Sequence, residues 1–133
     1  MYNGIYDIEQ FAYLHDTLQK WLKLKIKNNS LGNILVDRGI RRMSIYGVND
    51  LGKMVYEDIR DAGILVNCFI DRKYESYPEG YGGIPVIGNK QLSQISSEEF
   101  ILVTPEFYFC EIASDLLEGG ISIERILSLS MVV

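Results

Sequence analysis

The chain has 133 residues, 47% apolar and 23% charged, with 18 acidic against 13 basic side chains and a formal charge of -5. That length suits one domain with a core large enough to stand without disulfides or metals, and the balance excludes disorder and fibrous repeats. The acidic excess argues against a nucleic-acid partner, which needs clustered Lys and Arg, but leaves room for a small anionic ligand at one helix N-terminus.

In chain order, Phe11, Leu14, Leu18, Trp21, Leu22 and Ile26 recur at spacings of three and four, which predicts an amphipathic helix from Ile8 to about Ile26. Its apolar stripe needs a partner surface. The tail Leu22-Lys23-Leu24-Lys25-Ile26-Lys27 also alternates with period two, but continuity with the preceding residues favours helix. Asn28-Asn29-Ser30 is a break, Ser30 is an expected N-cap for a short helix through Val36, and Gly39 is its stop. Residues 1–40 therefore read as a helical hairpin within the same unit as residues 41–133.

A strand over Met43–Val48, a helix over Leu51–Asp61 closed by Gly63, and a β-rich run over Ile64–Ile70 make one βαβ unit. Tyr74–Gly83, with Pro78, Gly80, Gly82 and Gly83, has turn chemistry and reads as an exposed loop suited to a ligand lid. There follow a short strand Pro85–Ile87, a helix near Lys90–Ile95, a strand Phe100–Val103, a helix Glu106–Leu117 and a strand Ile126–Leu129. The alternation predicts an α/β fold: a Rossmann-like three-layer domain with a mostly parallel five-stranded sheet and right-handed crossovers. No run approaches the roughly 18 apolar residues of a membrane span, and no signal-like segment opens the chain, so a cytoplasmic protein is expected.

The turn Gly47-Val48-Asn49-Asp50-Leu51-Gly52 follows a strand and opens a helix, the context that a G-x-G-x-x-G dinucleotide loop requires. The first and third glycines match. Asn49 takes the second position, where glycine lets the backbone approach a pyrophosphate; Asn tolerates positive φ, so the turn survives while the phosphate fit suffers. Asp71 closes the second strand about 20 residues further on, where an acidic residue binds a ribose hydroxyl. The plainer alternative is a tight turn at Gly47 and Gly52, with Asp71 a solvated strand end. Arg72 and Lys73 suit a 2′-phosphate or diphosphate, or are simply solvated. Thr104 and Glu106 follow the strand nearest the switch point, and the preferred reading there is that Thr104 caps and Pro105 starts a helix.

Other residues read as structural. Cys68 and Cys110 are too few for a disulfide framework or a zinc site and are expected as reduced packing residues. His15 has no evident metal or triad partners. Lys20, Lys23 and Lys27 form a solvated face, and Phe107, Tyr108 and Phe109 are expected in the core rather than stacked on a base.

The runs Ile45-Tyr46-Gly47 with Gly52, Phe69-Ile70-Asp71 and Gly83-Ile84-Pro85-Val86-Ile87-Gly88 together resemble the nucleotide-binding domain that begins bacterial sugar O/N-acyltransferases of the sialic-acid and bacillosamine type. They are similar also to the leading domain of polysaccharide-biosynthesis nucleotide-sugar dehydratases and epimerases. The likeness covers about residues 43–104 and implies a nucleotide or nucleotide-sugar held at Gly47, Asn49, Asp50 and Asp71. The helical hairpin with its Trp-Leu-Lys-Leu-Lys run also looks like small domains that accompany glycosyltransferases in surface-polysaccharide loci. Neither the hexapeptide repeats of the acyltransferase catalytic half nor the dehydratase Tyr-x-x-x-Lys occurs in this sequence.

Three functions follow as expectations. The first is an accessory nucleotide- or nucleotide-sugar-binding module of bacterial surface-polysaccharide biosynthesis, not catalytic alone. The second is an NAD(P)-binding domain of a redox sensor or a partial oxidoreductase, since few residues remain for a substrate segment and proton donor. The third is an interaction domain that has lost its ligand and uses the N-terminal helices to form a homodimer or to meet a glycosyltransferase. The expected ligand is NAD(P) or a uridine nucleotide-sugar, and the candidate residues are Gly47, Asn49, Asp50, Leu51, Gly52, Asp71, Arg72 and Thr104. No catalytic residue and no metal site is identified.

Overall fold

The computed structural model describes residues 4–133, with side chains described from residue 8 onward. Five strands, β1 (Arg42–Tyr46), β2 (Leu65–Ile70), β3 (Val86–Ile87), β4 (Phe100–Val103) and β5 (Ile126–Ser128), form one sheet in the order β3-β2-β1-β4-β5. Every neighbouring pair is parallel, so the expected Rossmann-like α/β architecture is present with no antiparallel strand in the sheet. Chain order reverses between β1 and β4, which makes their C-terminal ends the switch point of the sheet.

Alternate strand residues point to opposite faces, and two cores result. Met43, Ile45, Phe69 and Leu102 face one core, closed by α1 (Gly4–Ile26), α2 (Leu31–Asp37), α3 (Asp50–Asp61) and α5 (Leu129–Val132). Tyr46, Ile70, Ile101 and Val103 face the other, closed by a 3₁₀ segment at Asn89–Gln94 and by α4 (Phe109–Glu118). Met43 lies opposite Val66 but Ile45 opposite Phe69, so two steps on β1 match three on β2. This irregularity lets Val66 and Phe69 enter the same core.

At the N-terminal edge of the sheet, a buried carboxylate ties three strands together. Glu99 accepts hydrogen bonds from the Ser44 hydroxyl of β1 at 2.9 Å and from the Asn67 amide of β2. Arg125 donates to the Ser96 and Glu99 carbonyls at 2.7 and 2.9 Å and fixes the approach to β5.

Several boundaries differ from the sequence-based expectation. β1 stops at Tyr46, not Val48, because Gly47 turns the chain with φ +106°. Leu129 opens α5 instead of ending β5. Residues 89–94 are 3₁₀ and kinked at Gln91, and Glu106–Tyr108 is a 3₁₀ turn that precedes α4. The segment 74–83 is not a free lid. The Tyr81 ring meets those of Tyr56 and Phe69 edge-on at 5.8 Å, and the Tyr77 hydroxyl donates to the Val48 carbonyl at 3.3 Å. Those tyrosines fill the place a crossover helix would take between β2 and β3.

Both N-terminal helices form, and Ser30 caps α2 by accepting from Asn33 N at 3.0 Å. The pair is held through α3 rather than helix to helix. Asp58 of α3 is buried and accepts from Trp21 Nε1 at 2.7 Å, Gly32 N at 2.9 Å and Leu31 N at 3.3 Å, with Lys25 Nζ at 3.6 Å. At Gly32 an added Cβ would lie 2.5 Å from that of Ala62, so α2 lies directly on α3. These contacts turn the Thr17 and Trp21 side of α1 inward, about 100° round from the expected apolar stripe. Trp21 is buried and Leu18 partly so, whereas Phe11, Leu14, Leu22 and Ile26 are exposed. Of the stripe that needs a partner surface, the domain therefore covers Trp21 and part of Leu18 and leaves the other four residues exposed.

Asp58→Ala leaves three buried donors without an acceptor and should cost about 3 kcal/mol, lowering Tm by roughly 10 °C. Calorimetry checks this, and the emission of Trp21, the single tryptophan, should shift to the red in the native state of the variant.

Candidate functional site

The chain leaves β1 toward one face through α3 and leaves β4 toward the other through the 3₁₀ turn and α4. A crevice opens between these departures, as open α/β sheets require at their switch point. Two cavities occupy it and share Asn49, Pro105 and Tyr108. The larger, about 400 Å³, has walls from Asn49–Leu51, from Thr104–Tyr108 and from Gln10, Tyr13 and Leu14 of α1. The smaller, about 210 Å³, lies over Tyr46 and Gly47 and reaches Asp71, Arg72 and Lys73. The structure thus brings Gly47, Asn49, Asp50, Leu51, Asp71, Arg72 and Thr104 to one crevice. Gly52 acts behind it, where an added Cβ would collide with the Gly47 carbonyl oxygen.

The loop obeys its glycine logic. Gly47 has φ +106°, and a Cβ there would stand 2.6 Å from Thr104 Oγ1. Asn49 behaves otherwise than expected. Its φ is -105°, in the extended region, and its side chain caps α3 by accepting from Gly52 N at 2.7 Å. The side chain therefore stands at the helix terminus, where a second glycine would leave open space for a pyrophosphate.

Asp71 stitches two loops together. One carboxylate oxygen accepts from Val48 N at 3.0 Å and the other from Lys73 N at 2.8 Å. Each oxygen keeps further acceptor capacity toward the smaller cavity. Beside it, the Tyr46 hydroxyl is buried and makes no hydrogen bond. Proximity to that hydroxyl, and then to Asp115 at 3.2 Å, raises the Arg72 pKa above its ordinary value.

Thr104 does not cap a helix. Its hydroxyl donates to the Tyr46 carbonyl at 2.7 Å and locks the end of β4 to the end of β1, while α4 starts without a side-chain cap. Glu106, also buried, accepts from Thr17 of α1 at 3.3 Å and from Ser130 N of α5. Tyr13 shares a 2.9 Å hydrogen bond with Ser130, and Gln10 donates to the Tyr108 hydroxyl at 3.4 Å. The N-terminal half of α1 is therefore a wall of the crevice, which sequence reading did not include. A signal existed: Gln10, Tyr13, Thr17 and Trp21 form a second line at spacings of three and four.

The aromatic run splits. Phe109 is partly buried, whereas Phe107 and Tyr108 are exposed with rings at 5.8 Å and 80°, which corrects the expectation of a core cluster. Cys110 is likewise exposed, not packed; Cys68 is buried. His15 is exposed on α1, Lys20 pairs with Asp16 at 3.2 Å, and Lys23 and Lys27 are exposed. Among the described residues no His, Cys, Asp and Glu side chains group as a metal site, and no helix is long and apolar enough to cross a membrane. Another concavity, about 520 Å³, lies at the β3 edge, lined by residues of segment 74–86 and by Gln91. It is far less promising than the switch point, because none of the glycine-loop residues reaches it.

No protein-family model matches the chain, and no curated protein matches it.

Burial pushes the Cys68 thiol up, opposed by its contact with Ser44 and reinforced by Glu99. Since thiolate is the reactive form, an aromatic disulfide reagent at neutral pH should titrate Cys110 in the native protein. Cys68 should react only on unfolding, and absorbance of the released thiolate counts the two steps.

Proposed function

We propose that the domain binds one nucleotide or nucleotide-sugar in the switch-point crevice and serves as an accessory module of bacterial surface-polysaccharide biosynthesis. The observation that carries this reading is the juxtaposition of the Gly47–Gly52 loop with Asp71 at the crevice floor. The polysaccharide setting rests on the resemblance of the Gly83–Gly88 run and its neighbours. The larger cavity, about 400 Å³, falls near the lower end of the range for small-molecule sites, and the smaller, about 210 Å³, extends it.

A nucleotide-sugar suits the crevice better than a dinucleotide. Asn49 holds its own side chain at the α3 terminus, and Asp50 and Glu106 make the larger cavity unfavourable to a second phosphate-bearing half. Arg72 and Lys73 place positive charge on the smaller cavity, the side suited to phosphate. Binding without turnover is favoured because Asp71 and Glu106 are each engaged in holding loops and helices in place. Neither is left as a poised acid or base.

A thermal-shift screen with UDP, UDP-, CDP- and dTDP-sugars, NAD(H), NADP(H), coenzyme A and S-adenosylmethionine tests this. A ligand at 100 times its Kd stabilises by about 2.7 kcal/mol, a rise of several degrees in a domain of this size. The expected response is to sugar nucleotides, weakened at least about tenfold in affinity by Asp71→Asn, which removes a charge-assisted contact. A response to NAD(P) alone would replace this reading with the cofactor-domain one. No response to any of them would leave the interaction domain.

A further inference from the structure

Helix α1 presents two faces. Thr17 and Trp21 are buried against the domain, while Ile8, Phe11, Leu22 and Ile26 are 60–72% exposed. With His15, also exposed, these residues fall within an arc of about 60° at 3.6 residues per turn. Including the partly buried Leu18, the steps along the line Ile8, Phe11, His15, Leu18, Leu22, Ile26 alternate between three and four until the last turn. That is the spacing of a two-helix seam.

Charge along α1 is split lengthwise. The charged residues from 8 to 17 are Glu9 and Asp16; those from 18 to 27 are Lys20, Lys23, Lys25 and Lys27. The helix therefore complements itself when a second copy lies antiparallel. Its acidic half then covers the basic half of the other copy, with Ile8 over Ile26 and Glu9 within reach of Lys23 and Lys27. Parallel pairing would instead set four lysines against the same four lysines, which repels. A polar or negative partner helix would not use the apolar line, and a purely basic one would meet the lysine half unfavourably.

We infer that the exposed seam of α1 is a homodimer interface in which the helices of two copies pair antiparallel. The seam lies outside the contacts that dock α1 on Asp58 and Glu106, so substitutions there leave the fold in place. The interface needs no ligand and stands whether or not the crevice binds a nucleotide.

Light scattering after gel filtration, with sedimentation equilibrium over micromolar to high micromolar concentrations, reads the mass directly. The expected result is a dimer whose Kd rises at least about 100-fold with Phe11→Asp, because two apolar side chains leave the seam. Unchanged circular dichroism and a cooperative melt confirm that the variant is folded. The orientation is tested by charge reversal. E9K/D16K makes α1 basic apart from Asp7 and K20E/K23E/K27E makes it acidic apart from Lys25; each alone should be monomeric and an equimolar mixture should regain the dimer mass. A monomer at every wild-type concentration would overturn the inference. So would a dimer indifferent to Phe11→Asp, or charge-reversed variants that dimerise alone.

Discussion

The placement of the N-terminal third of the chain depends on one buried carboxylate. Asp58 on α3 receives the indole N–H of Trp21 and the first two backbone N–H groups of α2, and Lys25 approaches from the solvent side. A carboxylate removed from water is costly unless its acceptor sites are filled, and here three donors fill them. The same contacts satisfy amides that the start of a helix cannot bond internally. Directional bonds of this kind fix the rotation of α1 about its axis, which burial of apolar area alone would leave free to choose the greasier side.

That rotation reaches the crevice. Because Trp21 points to Asp58, Thr17 one turn earlier points to Glu106, and Tyr13 and Gln10 continue the line to Ser130 and Tyr108. The α1 wall, the 3₁₀ turn after β4 and the short α5 therefore share one set of polar contacts. The other side of the crevice is built from close approach, with Gly47 packed against both Gly52 and Thr104. One wall is thus a rigid turn and the other a docked helix.

Much of this was legible in the sequence. Strand and helix alternation was sufficient for the α/β class, Ser30 and Gly39 for the limits of α2, and the spacing of Gly47 and Gly52 for the strand-to-helix turn beside the crevice. These are local signals, carried by propensity and by steric limits at a few residues. The failures were tertiary. In α1 two lines of residues share helical spacing, and nothing local says which of them meets the domain; a hydrogen bond to a residue 37 positions away decides it. Thr104 stands before a proline as a cap would, yet its hydroxyl goes to a neighbouring strand. The tyrosines of segment 74–83 looked like loop residues because no local pattern reveals that Tyr81 meets Tyr56 and Phe69.

The position of Asp58 in the chain also bears on how the protein emerges during synthesis. Residues 21, 31 and 32 are made before residue 58, and at about 5–20 residues per second the delay is on the order of seconds. For that interval α1 and α2 have no acceptor for their inward donors and no helix to lie against. A helix as short as the 7-residue α2 is marginal alone in water. The inward faces of α1 and α2 must therefore wait for α3 before they are covered.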